Sequence, residues 1–224
     1  MSSSSICWLP DDVLQMNVEY ARKVYSFLEN DLNTCLEYVQ LTENHLDVYS
    51  FKFADLLSRI GPEILRVSEL FLFNPRRGNV FFMKPELQQR LIDLQRKKAT
   101  RRDNFMDYLN AFAIAFTGLN SIAVEIAALN KYVVPFRTEN RKGKGGKEVE
   151  VISWWEDGYN SIKHRIISEF QKSATLKHTL FSLAALWVLH DCLDRDHGRL
   201  VPANSEIFGR IKSANLVEEA KKLQ

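Results

Sequence analysis

The stretch that most constrains the fold is Trp154–Asp191, WWEDGYNSIKHRIISEFQKSATLKHTLFSLAALWVLHD. It reads as two consecutive helices, the first amphipathic and the second apolar nearly all round, so the second must be buried. At helical spacing Trp155, Tyr159, Ile162, Ile166 and Phe170 fall within roughly 80° of arc and form one stripe. Asn160 and His164 lie one turn apart and point roughly 120° to 160° away from that stripe. A histidine turned away from its own helix's core faces water, a ligand or another subunit. Trp154 and Trp155 suit anchoring the preceding loop against the helices.

The remaining chain reads as helical in the same way. Glycine and proline number 9 and 6 in 224 residues, too few for a turn-rich β fold. Pro10-Asp11-Asp12 starts a helix in which Val13, Met16, Tyr20, Val24 and Phe27 recur at helical spacing. A second helix from about Ser50 carries Phe53, Leu56, Leu57, Ile60 and Ile64, and Gly61-Pro62 is expected to kink or split it. Phe71 to Lys84 reads as a loop, and Pro85 opens a helix to about Lys98. Helices are expected over about 103–116, 120–131 and Asn204–Leu223. The glycine-rich charged segment 137–150 reads as a flexible insertion, or a short hairpin closed by Val149 and Val151. The expectation is one all-α domain spanning 1–224, a bundle of about five to seven helices.

Composition excludes several classes. Hydrophobic residues make up 46% and charged residues 26%, as in soluble globular chains. Net charge is +2, from 30 basic and 28 acidic residues, so attraction to nucleic acid must come from local patches. Cys7, Cys35 and Cys192 lack CxxC spacing and read as reduced thiols of a cytoplasmic protein. The amino-terminal serine run lacks the charged and apolar regions of a secretory signal, and the charge-free run Tyr108–Val124 falls short of a membrane span. No Walker, Rossmann, nucleophile-elbow or zinc-cysteine pattern occurs, so no cofactor and no metal are expected.

The series Trp154-Trp155, Tyr159-Asn160 and Lys163-His164-Arg165, followed by Ala174-Thr175-Leu176 opening an apolar helix, resembles a bacterial branch of the HEPN superfamily. Tyr49–Leu57 with Gly61-Pro62-Glu63-Ile64 is similar to that group's early helix, and Val134-Pro135-Phe136 to the loop before the paired tryptophans. The resemblance spans roughly residues 45–195 and agrees with a helical bundle. It implies a homodimer with facing motif helices, and metal-independent RNA cleavage in which a 2′-hydroxyl attacks the adjacent phosphate. His164 would be the acid or base, Asn160 would orient the phosphate, and Lys163 or Arg165 would stabilise charge. The family's motif arginine is replaced by Tyr159, whose neutral phenol lacks a guanidinium's fixed charge.

Two basic runs, Arg90–Arg102 (with Arg96, Lys97, Lys98, Arg101 and Arg102) and Arg137–Lys147, could bind phosphate backbones or simply be solvated. His190, Asp191, Asp194, Asp196 and His197 cluster near a helix end at Gly198; His190 and Asp194, one turn apart, could ligate a metal, but histidine near a helix carboxyl end is favourable without one. His45 and His178 are isolated and receive no role. Two function classes remain open. One is an RNA-directed effector of toxin or phage-defence type, possessing or lacking nuclease activity; the other is a non-catalytic dimerisation module with a degenerate site, holding a protein partner.

Overall fold

A computed structural model describes residues 6–74, 84–100, 104–116, 118–143, 146–196, 205–213 and 223; the side chains of 165–168, 194–196 and 210 lie outside that description. Two helices form the centre. Helix α1 spans Asp11–Leu36, α2 Phe51–Leu72, α3 Pro85–Ala99, α4 Phe105–Ala115, α5 Ser161–Ser173 and α6 Leu176–Asp196. Of these, α2 and α6 pack along one another, with α1, α4 and α5 around α2. As its composition requires, α6 is buried almost throughout, including Leu180, Leu183, Leu186, Leu189 and Leu193. Burying each such side chain contributes about 1.5–3 kcal/mol, which makes this pair the chief source of cohesion.

Local chemistry sets the helix starts. Ser50 Oγ accepts a hydrogen bond from the Phe53 amide, and Asn104 and Asp107 form a reciprocal capping box on α4. Pro85 occupies the first turn of α3, where its missing N–H costs nothing. Gly61-Pro62 does not split the helix; α2 runs continuously through both residues. Gly61 is needed instead for packing, because a Cβ there would collide with the Tyr159 ring.

The expectation of an all-α fold is overturned, for the described residues carry two antiparallel sheets. Strand β1 (Ile122–Ile126) lies between β2 (Lys131–Val133) and β5 (Phe208–Ser213), with Val124 opposite both Val133 and Ile211. Thus the helix expected over 120–131 is a strand and a short 3-10 turn, and part of the expected carboxyl-terminal helix is a strand. Gly118 at φ 94° opens a short 3-10 turn after α4 has ended at Ala115, and Ile-Ala-Val-Glu-Ile then buries Ala123, Val124 and Ile126. Glu29 on α1 fixes the return of the chain: it accepts hydrogen bonds from Tyr25, Ser205 and the Ile207 amide, the last at 3.4 Å. The segment 137–150 takes the hairpin form, β3 (Glu139–Lys142) paired with β4 (Glu148–Val151), with Gly146 at φ 77° in its turn.

The face of α1 that packs is not the one whose spacing stands out in the sequence. Leu14, Val18, Ala21, Tyr25, Leu28 and Leu32 are buried, whereas Met16, Tyr20 and Phe27 are exposed. No helix among the described residues is long and apolar enough to cross a membrane.

Candidate functional site

The paired tryptophans open a seven-residue π-helix, Trp154–Asn160, that leads directly into α5. Such wide turns are rare and concentrate at functional sites. Both tryptophans anchor the core, as their position implied: Trp154 Nε1 donates to the Pro135 carbonyl at 2.6 Å, and Phe105 stacks on Trp155 with centroids 4.0 Å apart. Trp155 in turn meets Tyr159 at 4.6 Å, and Tyr159 rests on Gly61. This aromatic column fixes the π-helix against α2 and α4, and Phe105, Trp155 and Tyr159 share one surface with polar residues of the π-helix and α5.

Those polar residues line an open groove of about 460 Å³ between the π-helix, the start of α5, the start of α4 and Leu65 on α2. Tyr159, Asn160, Lys163 and His164 all border it, together with Glu156. Lys163 and His164 are exposed and Asn160 half-buried, in keeping with the outward angle read from the helical wheel. Asn160 Nδ2 donates to Glu156 at 3.1 Å, so the amide is held with its carbonyl oxygen and second N–H still available. The Lys163 ammonium sits 5.9 Å from the Tyr159 ring centroid, a weak cation–π contact that keeps the charge over the groove. Burial raises the Tyr159 hydroxyl above its usual range, so it stays protonated and neutral. The side chain of Arg165 lies outside the described residues.

The basic run on α3 is distributed differently. Arg96 pairs with Asp93 at 3.6 Å, Lys97 with Asp107 and Lys98 with Glu69. Lys97 therefore reaches the first turn of α4, whose Asn104, Phe105 and Met106 line the groove, but brings its charge already paired. Arg101 and Arg102 lie outside the described residues. In the second run, Arg141 grips Asp157 with two bonds of 2.6 Å and also bonds Glu139, locking the hairpin to the π-helix. Burial works against ionised Asp157, yet the bonds from Arg141 and Ser153 outweigh it and hold the carboxyl below its ordinary range.

A second, strongly polar cavity of about 490 Å³ lies behind the π-helix, lined by Asp157, Arg141, Lys172, Lys177 and His178, with Glu156 shared between the two spaces. His178, isolated in the sequence, is buried there with Nδ1 donating to the Ser173 carbonyl at 2.9 Å. Gly158 allows this approach, since a Cβ at that position would lie 3.0 Å from His178 Cβ. The first amides of α6 are already bonded to Leu46, Val48 and Thr175, which removes them as anion donors. His190 is not a helix-end cap either. It is buried against Tyr25, ring centroids 5.5 Å apart, and burial with Arg22 and Arg66 nearby lowers its pKa to about 3.

Sequence reasoning missed Glu156 and the Arg141–Asp157 clasp. The i, i+4 spacing of Glu156 and Asn160 was a readable signal; the clasp joins residues sixteen apart across a hairpin and was not. Among the described residues no group of three His, Cys, Asp or Glu side chains is placed to hold a metal ion. No family model, curated protein or solved structure matches this chain.

Proposed function

We propose that the Asn160–His164 groove receives RNA and that the protein is an RNA-directed effector with metal-independent endoribonuclease chemistry. The observation that carries this reading is the convergence of exposed Lys163 and His164 with a held Asn160 amide on one open groove. His164 accepts the proton of a 2′-hydroxyl; the 2′-oxygen bonds to phosphorus, the bond to the 5′-oxygen breaks, and the proton passes to that leaving oxygen. Lys163 supplies the cation that a phosphoryl transition state needs. Asn160 hydrogen-bonds a non-bridging phosphate oxygen through its second N–H.

The resemblance to the HEPN superfamily supports the same reading, through the Asn160 and His164 positions of its motif. Here a lysine four residues on from Tyr159 takes over the charge of the missing arginine. The toxin or phage-defence setting follows from that resemblance alone, and the cytoplasmic location is proposed from the three cysteines, which lack CxxC spacing.

A second reading is favoured by one observation: Tyr159, at the motif's arginine position, is a packing residue resting on Gly61. On that reading the groove holds a protein partner without chemistry. Incubation of the purified protein with RNA in a chelator, beside His164→Ala, separates the two. Cleavage that disappears in a variant of unchanged melting temperature supports the nuclease. A folded wild-type protein that leaves RNA intact supports the interaction module.

A further inference from the structure

Helix α1 has two apolar faces, and the fold uses one. On a helical wheel the buried residues from Leu14 to Leu32 and the set Val13, Met16, Tyr20, Val24 and Phe27 are centred roughly 120° apart. In the second set Met16 is 66%, Tyr20 59% and Phe27 63% exposed, while Val13 is half-buried and Val24 packs in part against the core. Val13, Tyr20 and Phe27 recur every seventh residue with Met16 between them, which is the spacing of a seam that packs on another helix. Arg66 from α2 lies 4.8 Å from the Tyr20 ring centroid and supports it from one flank only.

We infer that this face joins two copies of the chain, α1 crossing α1 antiparallel about a two-fold axis at the level of Ala21. That arrangement makes the face self-complementary. Reversal about this level sets Met16 against the region of Phe27 of the second copy, and sets Glu19 beside Lys23 twice over, because both charges lie on one flank of the stripe. A parallel two-fold would carry Lys23 of the second copy to the opposite flank, away from Glu19. Antiparallel pairing sets Asp12 against the neutral Asn30. It also brings Asp11 towards Asp31, but these lie at the ends of the contact, where crossed helices diverge, and Asp31 is already bonded to Arg59 at 2.5 Å. The contact is separate from the groove and differs from the facing motif helices that the HEPN resemblance implies, and this inference is independent of whether RNA is cleaved.

One helix face is smaller than the roughly 800 Å² per partner of a standard interface, and area does not fix affinity, so the contact is tested at high concentration. Sedimentation equilibrium at about 0.1 mM should give twice the chain mass of 26.0 kDa. Phe27→Glu should return the single-chain mass without lowering the melting temperature, because the side chain is exposed. Lys23→Glu should weaken association about tenfold, and the double variant Glu19→Lys/Lys23→Glu should restore it. In a Cys7→Ser/Cys35→Ser background, mixing Glu19→Cys with Lys23→Cys chains should yield mixed disulfides in preference to like-with-like ones. A wild-type monomer at this concentration overturns the inference and leaves the face for a different protein. A dimer untouched by Phe27→Glu, or cross-links only between like positions, also overturns it.

Discussion

The ring of Tyr159 occupies the space that Gly61 leaves open on α2, and this fit seats the π-helix that carries the groove. Tyr159 is therefore a structural partner of a glycine in the middle of a helix. A glycine there costs roughly 1 kcal/mol in helix propensity relative to alanine, which the packing of the ring must offset.

That pairing is testable. Gly61→Ala should destabilise by about 1–3 kcal/mol, as overpacking does, and lower the melting temperature by several degrees. In a Tyr159→Ala background the same substitution should become neutral or stabilising, since the collision is gone and helix propensity improves. Equal costs in both backgrounds, measured by urea denaturation, would refute the contact.

His190 gives the fold a dependence on pH. Its folded pKa, about 3, lies below the unfolded value near 6.5. The unfolded chain therefore binds the extra proton first, so this contribution is complete above pH 6.5 and is lost as pH falls towards 3. The slope is at most about 1.4 kcal/mol per pH unit for one group. Buried His178, whose pKa burial also lowers, adds in the same direction. His190→Leu should flatten the urea midpoint between pH 6.5 and 4, and should cost little at pH 7 because Nε2 has no partner among the described residues. An unchanged pH profile would contradict the burial of a neutral imidazole.

The Arg141–Asp157 clasp acts locally. Both side chains are more than a third exposed, so the pair contributes no more than about 1 kcal/mol to global stability. Arg141→Lys removes the two-pronged grip and should speed amide exchange in β3 and β4 while the melting temperature moves little. Unaltered exchange in the hairpin would show that strand pairing alone holds it.

Charge placement makes a further prediction for RNA affinity. Lys163 is exposed and can meet a phosphate, whereas Lys98 is paired with Glu69. Lys163→Gln should reduce the logarithmic salt slope of RNA binding by about 0.7, the value for one single-strand phosphate contact, and Lys98→Gln should leave it nearly constant. The reverse ranking would move the RNA path from the groove to α3.

The legible part of the fold was the part whose contacts are local or whose composition leaves one outcome. An unbroken apolar run such as Leu183–Leu189 cannot remain in water, and proline or a capping residue marks a helix start without help from elsewhere. The three-stranded sheet was not legible, unlike the 137–150 hairpin, because Ile122–Ile126 pairs on one side with residues more than eighty positions away. The two faces of α1 show the limit of periodicity: both satisfy helical spacing, and only tertiary packing chooses between them. At the site, the outward direction of Asn160 and His164 and the i, i+4 spacing of Glu156 and Asn160 were readable, whereas the aromatic column that positions them depends on the π-helix.

The central claim is that His164 drives attack by a 2′-hydroxyl. Its most direct test is the cleavage of an oligoribonucleotide in chelator, compared with one carrying a single 2′-deoxy substitution at the cut position, with analysis of the product ends. The account predicts a 2′,3′-cyclic phosphate and a 5′-hydroxyl from the all-ribose strand, no cut at the deoxy position, and no product from His164→Ala. Cleavage that survives the deoxy substitution, or products from His164→Ala at the wild-type rate, would contradict it.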